Sequence, residues 1–163
     1  MLQKSIITAL ALGTALVSVS ASAQDVTANL QIEGTVENSC MVQPTALTGL
    51  SFNGLNQNQG AGASVGVTCN AGTEYSLSPG EGLNFGAGPR PTLRHLADGN
   101  GNYIPYELFQ GFSDTVWGED GNAITGVGTG ENVWHEFSVS FYDVNLAPGG
   151  SYSDVVVQTV TYN

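Results

Sequence analysis

The stretch VWHEFSVSF, residues 133–141, determines the fold class that the sequence predicts. Its apolar parity consists of Val133, Phe137, Val139 and Phe141. A glutamate and two serines lie on the other parity, while His135 falls among the apolar positions. A period of two residues is typical of a β-strand with one face in a core and the other in water.

The same alternation recurs in shorter stretches along the chain. Val65, Val67 and Cys69 alternate with Gly and Thr, and Tyr75 and Leu77 alternate with serines. After residue 23, no window shows the apolar spacing of an amphipathic helix. Clusters of Gly, Pro, Asn and Asp separate the stretches, at residues 56–62, 79–82, 86–91, 98–102, 118–130 and 147–150. Many short strands separated by turns predict an all-β, antiparallel sandwich.

The stretch at residues 152–162 predicts a strand that is partly apolar on both faces. One parity carries Tyr152, Asp154, Val156, Gln158, Val160 and Tyr162. Val155 and Val157 occupy the other face. Such a strand lies between packed layers. Its free edge needs a cover, because an unpaired apolar edge templates aggregation.

Another alternating stretch precedes the first cysteine. Val26, Ala28, Leu30 and Ile32 alternate with threonine, asparagine, glutamine and glutamate. This pattern predicts either an edge strand of the chain's own domain or a detached strand that fills a groove in a neighbouring molecule. The second alternative would make the protein a polymer subunit rather than an enzyme.

Residues 1–23 have the pattern of a secretory signal peptide. Lys4 supplies the positive charge, residues 6–19 are apolar, and Ala21-Ser22-Ala23 is a small-x-small cleavage site. An uncleaved anchor helix is the alternative, although the apolar run is short for a membrane span. No later apolar run approaches about 20 residues. We therefore expect export of residues 24–163, one domain's length, without membrane insertion.

The two cysteines, Cys40 and Cys69, both follow the predicted cleavage site. In an exported chain they most simply form one disulfide. A redox pair is disfavoured because the C-x-x-C spacing is missing. A metal site is disfavoured because two thiols and two distant histidines form no recognisable ligand set.

The chain is strongly acidic, with a formal net charge of −11. Loss of Lys4 with the signal peptide would leave Arg90 and Arg94 as the basic residues. Nucleic acids would be repelled by this charge, and anionic membrane surfaces are equally poor partners. We therefore predict an exported protein that binds neither.

Short motifs along the chain resemble those of one family. The N-terminal motif is Ala28-x-Leu30-x-Ile32-x-Gly34-x-Val36-x-x-x-Cys40. The later motifs are Cys69, Tyr75-x-Leu77, Arg94-His95-Leu96, Tyr106-Glu107-Leu108-Phe109, Val116-Trp117-Gly118, the run from Pro148 to Asp154, and Tyr162. In this order and spacing, they resemble the spore coat protein U domain family, which includes subunits of archaic chaperone–usher pili. The resemblance covers essentially all of residues 24–163.

The resemblance implies an incomplete immunoglobulin-like β-sandwich of six strands, with a hydrophobic groove where the seventh strand is missing. Residues 24–36 would be a donor strand and residues 37–163 the pilin domain. A periplasmic chaperone would fill the groove first. At the outer-membrane usher, the donor strand of the next identical or related subunit would replace it. The implied donor residues are Ala28, Leu30, Ile32, Gly34 and Val36, and the implied edge of the acceptor groove is Tyr152, Val156, Val160 and Tyr162.

The implied function is that of a pilus subunit at the cell surface, serving adhesion and biofilm formation, with no catalytic residue, metal or cofactor. Two other functions stay open. One is a secreted, monomeric carbohydrate-binding sandwich that uses Trp117 or Trp134, since aromatic rings stack on sugars. The other is a spore-coat structural protein of the same family.

Candidate catalytic and ion-binding residues are weakly supported. Asp98 to Asn102 begins like a calcium loop, but the sixth position is not glycine and the twelfth is not glutamate, so a turn is favoured. His95 and His135 lie in no nucleophile motif. Glu107 and Glu136 could form a carboxylate pair for glycoside chemistry, but solvated strand faces explain them adequately. An enzyme is therefore the least favoured class.

Overall fold

The structure is a computed structural model that describes residues 24–43, 46–118 and 121–163. The predicted signal peptide, residues 1–23, lies outside the described residues. The elements are β1 (Cys40–Val42), β2 (Gln59–Cys69), β3 (Glu74–Pro79), β4 (Arg94–Ala97), β5 (Tyr103–Gln110), β6 (Ile124–Val127), β7 (Asn132–Phe141), a 3₁₀ turn (Val144–Leu146) and β8 (Gln158–Tyr162). The stretch that determined the predicted fold class is thus one continuous strand.

The strands form two antiparallel sheets. One has the order β1-β2-β7-β5-β4 and the other β6-β3-β8. The predicted all-β sandwich is confirmed. The described residues contain eight strands rather than the six that the resemblance implies. Three of the eight, β1, β4 and β6, are short edge strands that pair along longer neighbours.

The core lies between the inward faces of the two sheets. Period-two alternation buries Val65 and Val67 of β2 and Phe137 of β7, which face Leu77 of β3. Trp117 is fully buried, and its indole N–H donates to the Leu77 carbonyl over 3.0 Å. Each fully buried large apolar side chain contributes about 1.5–3 kcal/mol, so these layers hold the sheets together.

The predicted disulfide joins Cys40 and Cys69. The two residues are direct partners across β1 and β2, and their Cα atoms are 4.1 Å apart. The bridge closes a loop between positions separated by 29 in sequence. In the chain-entropy model, a loop of this size contributes about 3–4 kcal/mol to stability.

The chain divides between Thr35 and Val36 into two units, each of which is described by itself. In the N-terminal unit, residues 24–35 form no strand. Its large apolar side chains Val26, Leu30 and Ile32 are all exposed. The described residues of this unit therefore leave the apolar side chains of the alternating segment uncovered.

Candidate functional site

An apolar groove of about 530 Å³ opens in the second unit, along the C-terminal residues. Its floor is the inward face of β5 and β7, contributed by Tyr106, Leu108, Phe137, Val139 and Phe141. One wall is the strand-free segment 46–50, which supplies Leu47 and Leu50. The C-terminal segment from Asp154 to Gln158 forms another wall.

Strand alternation produces the apolar floor. In β7 the side chains of Phe137, Val139 and Phe141 point inward, and their fractional exposure is 5% or less. The Phe52 ring packs edge-on against Phe141, with centroids 4.7 Å apart. The floor is therefore closely packed as well as apolar.

The C-terminal wall also alternates. From Ser151 to Val160, odd-numbered residues are exposed and even-numbered residues are half-buried. Val156 and Gln158 line the groove. Val155 also lines it, although 59% of its surface stays exposed, as does 68% of Val157. The parity that the sequence marked as one face is thus the inward face of this wall.

The backbone hydrogen bonds that this wall forms with other described residues lie on one of its sides. The Val157 carbonyl accepts from the Gly80 N–H over 2.8 Å, and the Val155 carbonyl accepts from the Leu83 N–H over 3.1 Å. Backbone groups of successive residues in an extended chain point to opposite sides. The N–H and C=O groups of Asp154 and Val156 have no hydrogen-bond partner among the described residues. They form an unpaired edge beside the apolar floor.

The open edge continues into β8, which pairs with β3 and with no other strand among the described residues. Main-chain donors and acceptors normally find partners when they are covered. An extended chain placed beside this edge would supply those partners and cover the floor with its side chains.

Asp154, which interrupts the apolar parity, is held by several hydrogen bonds. The Tyr106 hydroxyl donates to its Oδ2 over 2.6 Å. The backbone N–H and the side-chain amide of Asn84 both donate to its Oδ1, over 3.2 and 3.0 Å. Burial raises the pKa of Tyr106, and the Asp154 carboxylate raises it further. The carboxylate is therefore committed to internal partners.

Gln158 is the second interruption of the apolar parity, and its situation differs. It lines the groove, it is half-buried, and its side chain makes no hydrogen bond to any described residue. The groove wall thus presents one satisfied polar side chain, Asp154, and one unsatisfied polar side chain.

The predicted acceptor residues lie in three environments. Val156 lines the groove. Tyr152 and Val160 are half-buried against the core, and the Tyr152 hydroxyl donates to the Pro148 carbonyl. Tyr162 lines a shallower cavity of about 410 Å³ with Glu74, Tyr75 and β6 residues. Of the four residues that the sequence singled out, Val156 is the one that lines the groove.

The groove also contains residues that the sequence did not identify as a site. The floor residues carried a signal, because they belong to the apolar parities of β5 and β7. Segment 46–50 carried none, because Ala46, Leu47 and Leu50 follow no period of two.

The predicted donor residues are accessible. Leu30 and Ile32 are each 84% exposed and Val36 is 86% exposed. Ala28 and Gly34 lie in the same exposed stretch, which forms no strand. Their role as donors stays a prediction.

The two tryptophans differ in accessibility. Trp117 is fully buried, and its N–H is satisfied inside the core, so it cannot stack on an external sugar. Trp134 on β7 is 59% exposed, directly across from Gly66 of β2. Of the two candidates for a sugar platform, only Trp134 is accessible.

The histidines and the calcium-like loop have internal partners. The Tyr75 hydroxyl lies 2.8 Å from Nε2 of His135, and burial lowers the pKa of this imidazole. His95 is fully buried, with Nε2 2.5 Å from the Pro89 carbonyl. Asp98 accepts from Asn100 and Asn102, which hold its carboxyl pKa at about 2. This geometry is that of a hydrogen-bonded turn between β4 and β5.

The two carboxylates considered for glycoside chemistry are in different environments. Glu107 forms a 2.8 Å ion pair with Arg94, and both side chains are largely buried. Glu136 is exposed on β7. Within residues 24–43, 46–118 and 121–163, no three His, Cys, Asp or Glu side chains are grouped to hold a metal. No helix in those ranges is long and apolar enough to cross a membrane.

Comparison with known proteins gives a family match and a similarity in fold to solved structures. The Spore Coat Protein U domain model matches residues 26–159. No curated protein matches the chain. A chain in the crystal structure of the CsuC–CsuE chaperone–tip adhesion subunit pre-assembly complex, from the archaic chaperone-usher Csu pili of Acinetobacter baumannii, is similar in fold. It has a TM-score of 0.57 and 20% identity, over 77% of this chain and 40% of that one.

Proposed function

Because the chain belongs to the Spore Coat Protein U domain family, we propose that it is a non-catalytic subunit of a chaperone–usher pilus. One observation carries the proposal: the unpaired backbone edge of Asp154 and Val156 lies beside an apolar groove in the same domain. An extended strand from another molecule would complete both the hydrogen-bond ladder and the core, as in known chaperone–pilin complexes.

The N-terminal segment has the chemistry of such a strand. Residues 24–36, fully extended, span roughly 40 Å at about 3.3 Å per residue, long enough for the groove wall. Burial of Leu30, Ile32 and Val36 would contribute about 1.5–3 kcal/mol each. Because these side chains are exposed in the single chain, burying them on assembly would stabilise the multimer.

The family and the fold also support the remaining partners. The solved structure of similar fold is a chaperone–subunit complex of a pilus system. For this chain we infer export by the signal peptide at residues 1–23, a periplasmic chaperone that first occupies the groove, and an outer-membrane usher. Adhesion and biofilm formation at the cell surface follow as the role of the fibre.

The surface fraction of producing cells tests the proposal on denaturing gels. Unheated samples should show a ladder of multimers that collapses on boiling to one band near the mass of residues 24–163. The variant Leu30→Asp/Ile32→Asp should abolish the ladder, because two charges would enter the apolar groove. The matched control, Asn29→Asp/Gln31→Asp, adds the same charge on the other parity and should leave the ladder intact.

A single monomer band before and after heating would contradict the pilus proposal. A stable secreted monomer that binds glycans would support the carbohydrate-binding alternative, which Trp134 keeps open through its exposure. In that case Trp134→Ala should remove glycan binding, whereas a pilus subunit should still form multimers with this substitution.

A further inference from the structure

We propose that Gln158 sets the register of the incoming strand by hydrogen-bonding the main chain at Gly34 of a second copy. Such a register presupposes the proposed function, because it specifies how the groove and the donor strand of that function fit together. It adds a specificity-determining pair, with one residue on each molecule.

Gln158 and Asp154, the two polar residues of the wall, differ in their hydrogen bonds. Asp154 already accepts three hydrogen bonds from Tyr106 and Asn84. Gln158 lines the same groove, and its side-chain amide makes no hydrogen bond to any described residue. In the open groove, water can solvate this amide.

Occupation of the groove removes that water. Burying an amide without a hydrogen-bond partner costs free energy, so a complex that leaves the Gln158 amide unpaired is destabilised. A leucine, isoleucine or valine facing Gln158 offers no donor or acceptor. A glycine leaves its peptide groups uncovered, and a carbonyl has two lone pairs, so it can accept from Gln158 in addition to a ladder bond.

The donor segment carries one glycine, Gly34, on the same parity as Leu30 and Ile32. Nothing in the described structure of the single chain calls for a glycine at this position. Its φ is not positive, and no described atom beyond its neighbours lies within 4 Å of where a β-carbon would be. Glycine also weakens a strand. A close approach between the donor backbone and the groove in the assembled state would explain why position 34 is a glycine.

Four full-length chains test the pairing in producing cells: the natural chain, Gly34→Leu, Gln158→Ala, and the double variant Gly34→Leu/Gln158→Ala. The measured quantity is the multimer fraction on unheated gels, at equal amounts of exported, disulfide-bonded chain. Gly34→Leu should lower the multimer fraction on the order of tenfold, because it buries an unpaired amide. The double variant should recover most of that loss, because the new leucine then meets a small apolar side chain.

Gly54→Leu is the matched control, since Gly54 also has open space around its missing β-carbon and no positive φ. It should leave the multimer fraction unchanged. If the natural chain forms multimers but Gly34→Leu either has no effect or is equally harmful with and without Gln158→Ala, the register is wrong and the pilus function stands. If the natural chain forms no multimers, the proposed function itself fails.

Discussion

The strand β7 and the C-terminal segment from Ser151 to Tyr162 both alternate, yet they differ in their hydrogen-bonded edges. β7 pairs with β2 on one side and with β5 on the other. β8 pairs with β3, and the residues before it bond to Gly80 and Leu83 on that same side. The two segments therefore share an alternating side-chain pattern. Among the described residues, however, β7 is hydrogen-bonded along both edges and the C-terminal segment along one edge.

The difference shows where the domain is complete and where it is open. Alternation reports which face of a strand is buried, whereas edge pairing reports whether the sheet ends there. Both edges of β7 are paired with neighbouring strands. Beside Val156 the apolar floor and the backbone edge are both open, which is the combination that a further strand would complete.

Val156→Asp should have the largest effect on assembly. Val156 lines the groove, so its replacement would place an unpaired charge beneath an incoming strand. We expect the multimer fraction to fall by at least on the order of 100-fold, the equivalent of roughly 3 kcal/mol. Val157→Asp, on the exposed parity, is the control and should retain the ladder on unheated gels. Equal loss in both variants would contradict the open-edge interpretation.

Phe137→Ala should have the largest effect on the fold itself. Phe137 is buried on β7, and its ring centroid is 5.2 Å from that of Trp117. A cavity there should lower the free energy of unfolding by about 3–5 kcal/mol. Val157→Ala, in the half-paired segment, should change it by less than about 0.5 kcal/mol. Urea unfolding of the exported, disulfide-bonded chain measures both, and similar losses would contradict the contrast between the two regions.

Asp154→Asn should have an intermediate effect. It removes a carboxylate that accepts from Tyr106 and Asn84, at a cost of about 1–3 kcal/mol in unfolding free energy. The pKa of Tyr106 should fall towards its usual value, because the carboxylate helps to raise it. Ultraviolet titration of tyrosine measures the shift. The exposed residue Asp114 offers the control, Asp114→Asn, and an unchanged Tyr106 pKa in Asp154→Asn would refute the assigned contact.

His135 should give the smallest effect. Burial lowers its pKa in the folded chain, so the unfolded chain binds a proton more readily. This imidazole should therefore favour folding above its unfolded pKa of about 6.5, and that contribution should decline as the pH falls below it. The urea midpoint of the natural chain should drop between pH 7 and pH 5 slightly more than that of His135→Gln. An equal drop in both would show that His135 does not contribute.

The sequence predicts the groove unevenly, for physical reasons. The inward faces of β7 and of the C-terminal wall follow from a period of two, so Phe137 and Val156 are predictable. Segment 46–50 has no such period, since its leucines line the groove from an irregular backbone. The partners of Asp154, namely Tyr106 and Asn84, are distant in sequence, and only the folded chain brings these three residues together.

The number of strands could not be predicted from the sequence for a related reason. The short strands β1, β4 and β6 exist because they pair along longer neighbours, not because their own composition requires it. The Cys40–Cys69 disulfide, by contrast, was predictable because export and two cysteines leave one simple pairing. Gln158 could be noticed in the sequence as an irregularity, but its lack of a partner is visible only in the structure.

Hydrogen exchange at the backbone amides of Asp154 and Val156 tests the central claim most directly. It compares isolated multimers with the unassembled Leu30→Asp/Ile32→Asp chain. We predict rapid exchange at these two amides in the unassembled chain and strong protection in multimers, because an added strand would accept their hydrogen bonds. Amides of β7 should be protected in both states. Rapid exchange at Asp154 and Val156 in the multimers would show that no strand pairs with this edge, and would contradict the account.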